Sequence, residues 1–348
     1  MTTSEIASAA EFCKTMLPRV SRTFALNIPV LPEPLDLVVT VAYLLCRIAD
    51  TVEDESAALA DERATQLNEL TRVARLEPGW NRDAHELSKR ITQQLRPETP
   101  SGERELIAGF DQVLVCYEAQ PSWSHGHVAR CIQEMARGMA ELSAGRGTAA
   151  PNGMTDLDET LRYCHYVAGT VGEMLTSLFI GYSAKTKQHE KFLRKHAGAF
   201  GRALQLTNIL QDIHADMVRG ACWLPRTSLE RHGLTPEMLI DPRHGEAALA
   251  VLDEMIVVAY REARLAFEYV LAIPKHERGI RTFCLWPLFN AVLTLKALKG
   301  NAEVFGKNRV KIKRHTVKVV MAVTAALAKH DRSLRWTFAG ATAGLPLL

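Results

Sequence analysis

No run of about 18 uninterrupted apolar residues occurs in this chain, so no membrane-spanning helix is expected. The opening residues, MTTSEIASAAEF, have no basic start and no long apolar run, which argues against a secretory leader. Neither sign of charge is in excess. Lys and Arg number 42 against 39 Asp and Glu, a net charge of +3, too balanced to argue for nucleic acid. The seven cysteines are odd in number and show no C-x-x-C spacing. This argues against a zinc site and a disulfide framework, and for reduced thiols in a cytoplasmic setting. Strand-like alternation is scarce, and no short-period repeat, low-complexity tract or long linker interrupts the chain.

What remains is helical periodicity nearly throughout a chain of 348 residues that is 47% hydrophobic, enough for a large core. Prolines fall where helices should start or stop, among them Pro29, Pro32, Pro34, Pro97, Pro121, Pro151, Pro225 and Pro274. The pattern predicts about ten to twelve helices. The long ones are placed at 35–54, 102–120, 124–144, 155–183, 189–217, 246–271, 276–299 and 315–330, with a loop at 145–153. One all-α domain is the simplest reading, with a core over residues 12–330 and an apolar tail at 331–348. The run Trp336–Leu348 is broken by Gly340, Gly344 and Pro346. It reads as a frayed end in preference to a bilayer contact.

Two acidic motifs carry the most information. Asp50-Thr-Val-Glu53-Asp54 and Asp212-Ile-His-Ala-Asp216 each end an apolar helical run, and each places carboxylates at i and i+4, on one helix face. Acidic clusters in such settings are costly without a cation. Mg2+ prefers carboxylate and phosphate oxygens, so two facing clusters would hold Mg2+ against a diphosphate. Asn208 lies one turn before Asp212 and Arg219 follows Asp216. Tyr43 and Arg47 share a face with Asp50. Arg47 reads equally as an intrahelical ion pair or as a phosphate ligand. Ser21-Arg22-Thr23-Phe24 offers a helix cap or a diphosphate anchor. Gly169 and Gly172, in Tyr163-Cys-His-Tyr-Val-Ala-Gly-Thr-Val-Gly, each cost a helix about 1 kcal/mol relative to alanine. They mark either close helix packing or the wall of a hydrocarbon tunnel formed with Val167, Val171 and Leu175, with Tyr163 at its polar end. His165 reads as a structural histidine.

Together these segments resemble the squalene/phytoene synthase family of head-to-head prenyl transferases. The resemblance rests on Ser21-Arg-Thr-Phe24, Tyr43-x3-Arg47-x2-Asp50-x2-Glu53-Asp54, Tyr163-Cys-His-Tyr-Val-Ala-Gly169 and Asn208-x3-Asp212-x3-Asp216. It implies an isoprenoid-synthase type of fold with a central cavity and an isoprenoid diphosphate substrate. Asp50, Glu53, Asp54, Asp212 and Asp216 would bind Mg2+. Ser21, Arg22, Arg47, Asn208 and Arg219 would bind the diphosphate. Tyr163 would steer a proton, with Tyr43 beside the reacting groups, while Phe283 and Phe24 would face a carbocation. Downstream, Phe283-Cys-Leu-Trp-Pro287 and Val310-Lys-Ile-Lys-Arg314 resemble NADPH-using squalene synthases, which implies Lys311, Lys313 and Arg314 as NADPH contacts. On residues alone that basic stretch reads as a solvated loop. Lys313 stands where arginine is expected. Gln211 precedes Asp212 where squalene synthases usually carry arginine, and Glu173 resembles the bacterial carotenoid-type enzymes. The alternatives are a dehydrosqualene, hydroxysqualene or phytoene synthase, or a catalytically silent helical scaffold. An apolar product further implies passing contact with a membrane surface.

Overall fold

The computed structural model describes residues 1–143 and 151–346. The all-α expectation holds: among the described residues there are 18 α-helices, short 3-10 turns, one π turn and only two isolated β-bridges. The chain divides into two compact units, Met1–Thr148 with Met174–Lys187, and Ala149–Glu173 with Gln188–Leu348.

The first unit contains α1 (Thr3–Val20), α2 (Phe24–Asn27), α3 (Leu35–Asp54), α4 (Ala60–Val73), α5 (Trp80–Gln94), α6 (Ser101–Ala108), α7 (Phe110–Glu118) and α8 (Ser122–Ser143). Its centre is α3, which packs on α1, α7 and α8. Leu44, Leu45, Ile48, Ala49 and Val52 of α3 are wholly buried, so the apolar run before the first acidic motif is core on nearly every side. The single helix expected at 102–120 is two. A side chain at Gly109 would collide with the Phe12 ring of α1, and the chain breaks there.

The second unit begins with α9 (Leu157–Cys164), the π turn His165–Gly169 and the start of α10 (Thr170–Tyr182). After α11 (Ala184–Lys187), which belongs to the first unit, come α12 (Glu190–Gln211), α13 (Ile213–Val218), α14 (Arg226–Arg231), α15 (Gly245–Ala272), α16 (Arg278–Leu298), α17 (Arg314–Leu327) and α18 (Asp331–Thr342). The scaffold here is α12, α15 and α16, packed on one another.

Further expectations need correction. The continuous helices at 155–183 and 189–217 are interrupted, at the π turn and at Asp212 (φ −107°, ψ 12°). The run from Trp336 is not frayed as far as Thr342, because it continues the helix begun at Asp331. Phe338 of α18 stacks on Phe267 with ring centroids 4.0 Å apart and meets Phe289 edge-on, so aromatic burial orders the helix. The helix count also exceeds the expected ten to twelve, because local breaks at glycines and caps multiply the elements. The loop expected at 145–153 lies mostly outside the described residues.

Candidate active site

In the first unit the structure gathers residues that the sequence separates. Ser21 ends α1, and its hydroxyl accepts a hydrogen bond from the Phe24 amide (3.1 Å), so it does cap the turn. The same hydroxyl lies beside the Tyr43 phenol, and the Phe24 ring tilts against Tyr43 at 5.0 Å. Burial raises the Tyr43 phenol above its ordinary range, opposed by the Ser21 hydroxyl and the charge of Arg47. Arg47 makes its ion pair with Glu103 of α6 (2.6 Å), not within its own helix. Its Nε is buried and has no hydrogen-bond partner among the described residues. Arg22 is exposed.

The first acidic motif closes α3. Asp50 is half-buried, Glu53 buried and Asp54 exposed. Burial pushes the Asp50 carboxyl up to about 7. Arg47 pulls it down and Asp54 pushes it further up. Glu53 is raised well above the usual carboxylate range by burial and then by Asp54 and Asp50, with only Arg63 opposing. Clustered carboxyls removed from water in this way suit a divalent cation, which would hold them ionised. Among the described residues, no three His, Cys, Asp or Glu side chains are arranged to cage a metal alone.

In the second unit the π turn follows from close packing. A Cβ on Gly201 of α12 would land on the Ala168 carbonyl oxygen, and one on Gly172 would land on the Ala197 carbonyl oxygen. The glycines therefore serve backbone approach between α12 and the π turn. His165 packs beside Gly198, and its Nε2 lies 3.9 Å from Glu173. Tyr163 is buried and stacks on Trp223, with centroids 4.2 Å apart and planes 2° from parallel. The Trp223 segment is zipped to residue 154: Met154 N–H donates to Leu224 O (3.0 Å) and Arg226 N–H to Met154 O (2.6 Å). Trp223 stands outside the sequence motifs that mark Tyr163. No spacing rule marks it as the partner of Tyr163, 60 residues away. Val167, Val171 and Leu175 are half-buried, and Phe283 is buried in α16.

The second acidic motif straddles the break between α12 and α13. Arg309 grips Asp212 with both arms of its guanidinium, Nε to Oδ1 and Nη2 to Oδ2, each 2.6 Å. Burial raises the Asp212 carboxyl, while Arg309, then Arg219 and Lys311, oppose the rise. Asp216 is buried and pairs with Arg219, and Asn208 is exposed. Gln211 donates its amide to Val310 O (2.5 Å), and His214 Nδ1 lies 2.9 Å from Phe305 O. Segment 305–310 is thereby tied to the acidic motif. Arg309 is the functional candidate that sequence reasoning missed, although it adjoins the basic stretch. Lys311, Lys313 and Arg314 are exposed at the start of α17, with Lys313 in the capping position. A surface recess of about 470 Å3 is lined by Asp212, His214, Ala215, Val218 and Arg219.

The fold is that of the all-α isoprenoid synthases. A solved complex of TcSQS with the ligand BPH1237 superposes with a TM-score of 0.80 over 98% of this chain and 93% of that one, at 24% identity. The family model for squalene/phytoene synthase matches residues 17–316, and the chain belongs to that family. Among curated relatives, a squalene synthase of Gibberella zeae is 27% identical over 316 residues, which is 90% of this chain and 64% of that protein. A squalene synthase of Mycosarcoma maydis is 31% identical over 325 residues, 87% of this chain and 53% of that protein. The chain thus spans between about half and two thirds of the length of these two relatives.

Proposed function

We propose that this chain, as one catalytic domain, condenses two farnesyl diphosphates head to head to presqualene diphosphate and reduces that intermediate to squalene with NADPH. The carrying observation is the first acidic motif. Its buried Glu53 and half-buried Asp50, both raised mainly by burial, adjoin an arginine with an unpartnered Nε and the Ser21–Phe24–Tyr43 cluster. Membership of the family and the similarity to squalene synthases support the reading.

In this reading Asp50, Glu53, Asp54, Asp212 and Asp216 hold Mg2+, which when bound neutralises the diphosphate and aids its departure. Ser21, Arg22, Arg47, Asn208 and Arg219 orient the phosphate oxygens. Loss of diphosphate leaves an allylic cation, which attacks the C2–C3 double bond of the second substrate. Tyr163 directs the proton lost as the cyclopropane closes, its ring held flat by Trp223. Tyr43 orders the Ser21 hydroxyl. Loss of the remaining diphosphate from presqualene diphosphate gives a cyclopropylcarbinyl cation, which Phe283 and Phe24 stabilise through their ring faces, by about 0.5–2 kcal/mol. Val167, Val171 and Leu175 keep water from trapping it. Lys311, Lys313 and Arg314, at a helix N-terminus, grip the NADPH phosphate, and NADPH supplies the final hydride. The product is an insoluble hydrocarbon, so a cytoplasmic enzyme would touch a membrane surface to release it.

The test is incubation with farnesyl diphosphate and Mg2+, with and without NADPH, read by GC–MS after phosphatase treatment. Squalene only with NADPH, and presqualene alcohol without it, is the expected outcome. Dehydrosqualene or hydroxysqualene regardless of NADPH would favour the second reading, which Gln211 and Glu173 support.

A further inference from the structure

Charge is distributed unevenly along this nearly neutral chain. Residues 307–335 hold nine Lys or Arg and a single acid, Asp331, a net charge of +8. The rest of the chain therefore carries −5 within the total of +3. Two of the nine are engaged, Arg309 with Asp212 and Arg335 with Glu268. Lys318, Lys329 and Arg332 are exposed, on or beside α17 and α18.

The same two helices expose apolar side chains. Along α17, Thr324 is buried and the Met321 carbonyl accepts from Trp286 of α16, so that side faces the core. The opposite stripe, Lys318, Val319, Ala322, Val323 and Ala326, is exposed, with Val319 57% and Val323 38% accessible. On α18, Leu334 and Phe338 face inward, while Arg332, Trp336, Ala339 and Ala343 are exposed, and Trp336 is 81% accessible. Both helices pack on α16 and on each other, so their outward stripes form one face. Each stripe is basic at its N-terminal end and small or apolar beyond it.

We propose that this face of α17 and α18 docks the protein on the surface of a membrane rich in anionic lipid. A nucleic acid would match the charge but leave Trp336, Val319 and Val323 unused. An uncharged apolar partner would leave the exposed Lys318, Lys329 and Arg332 uncompensated. An anionic bilayer surface satisfies both, since it attracts lysine and arginine and takes tryptophan and aliphatic side chains at headgroup depth. The inference deepens the proposed membrane contact and rests on that reading for its purpose, but not for its test.

The intact protein is sedimented with vesicles of phosphatidylcholine alone, and with vesicles containing about one third phosphatidylglycerol. Partitioning onto the anionic vesicles only, lost at high salt, is expected. Lys318→Gln and Arg332→Gln should each weaken it roughly five-fold, and Trp336→Ser and Val319→Ser should weaken it on the same vesicles. A blue shift of tryptophan emission on binding should shrink in Trp336→Phe. No partitioning at low salt, or partitioning indifferent to these variants, overturns the proposal. Concentration-dependent dimerisation abolished by Trp336→Ser also overturns it, because a second copy would then cover the face. No substrate takes part, so this result and the product assay stand or fall separately.

Discussion

Asp50 is the residue on which the chemistry and the energetics meet. A carboxyl raised to about 7 is half protonated near neutrality, and a bound divalent cation would displace that proton. Mg2+ binding with substrate analogue should therefore release protons near pH 7, measured by titration calorimetry in buffers of different ionisation enthalpy. Asp50→Asn should leave helicity unchanged by circular dichroism. It should lower turnover by roughly 10²–10³-fold or more, the scale of losing one electrostatic contact to developing charge. Near-normal turnover would remove Asp50 from the metal site. Tyr163→Phe keeps the ring that stacks on Trp223 and deletes only the hydroxyl, so it should block presqualene diphosphate formation without altering helicity. Normal accumulation of that intermediate would end its proton-steering role. Arg309 could not have been singled out from sequence. It lies 97 residues from Asp212, and only the folded chain brings the two together.

At the scale of elements, the informative feature is the packing of α12 against the π turn. The sequence left Gly169 and Gly172 open between close packing and a tunnel wall. Gly172 and Gly201 decide for close packing at the backbone, because added methyl groups would meet carbonyl oxygens that cannot move aside. Gly201→Ala should cost about 1–3 kcal/mol by overpacking, read as a lower thermal midpoint. Gly245→Ala, with open space around it, is the control. The part-buried pair of Arg202 with Glu262, Nη2 to Oε2 2.7 Å, binds α12 to α15. Glu262→Ala strands the guanidinium and should cost about 3–5 kcal/mol in chemical denaturation. Neither the π turn nor this pair has a sequence signature. The break at Asp212 was likewise invisible, since Asn208, Asp212 and Asp216 fit an unbroken helix equally well.

For the whole molecule, burial of the first acidic motif makes stability depend on pH and Mg2+. A carboxyl whose folded-state value lies above its unfolded value near 3.8 stabilises the fold fully below that value. The contribution is lost as pH rises through about 7. Without Mg2+, wild-type protein should thus melt progressively lower than Asp50→Asn between about pH 4 and 7, with the gap levelling off above. Mg2+ with a diphosphate ligand should narrow that gap by neutralising the cluster. A gap independent of pH would show that Asp50 is not held protonated in the fold.

The all-α class, the family and the two acidic motifs were legible in the sequence, because helical periodicity and short-range carboxylate spacing are local properties encoded within a few turns of chain. So were the hydroxyl-rich turn at Ser21 and the basic stretch at Lys311–Arg314. Tertiary structure decided what depends on contacts between distant segments: Tyr163 on Trp223, Arg309 on Asp212, Arg47 with Glu103, and α18 seated through Phe338. It also decided which carboxyls are removed from water. Desolvation is set by the packing around a group, and a spacing in the sequence carries no measure of it.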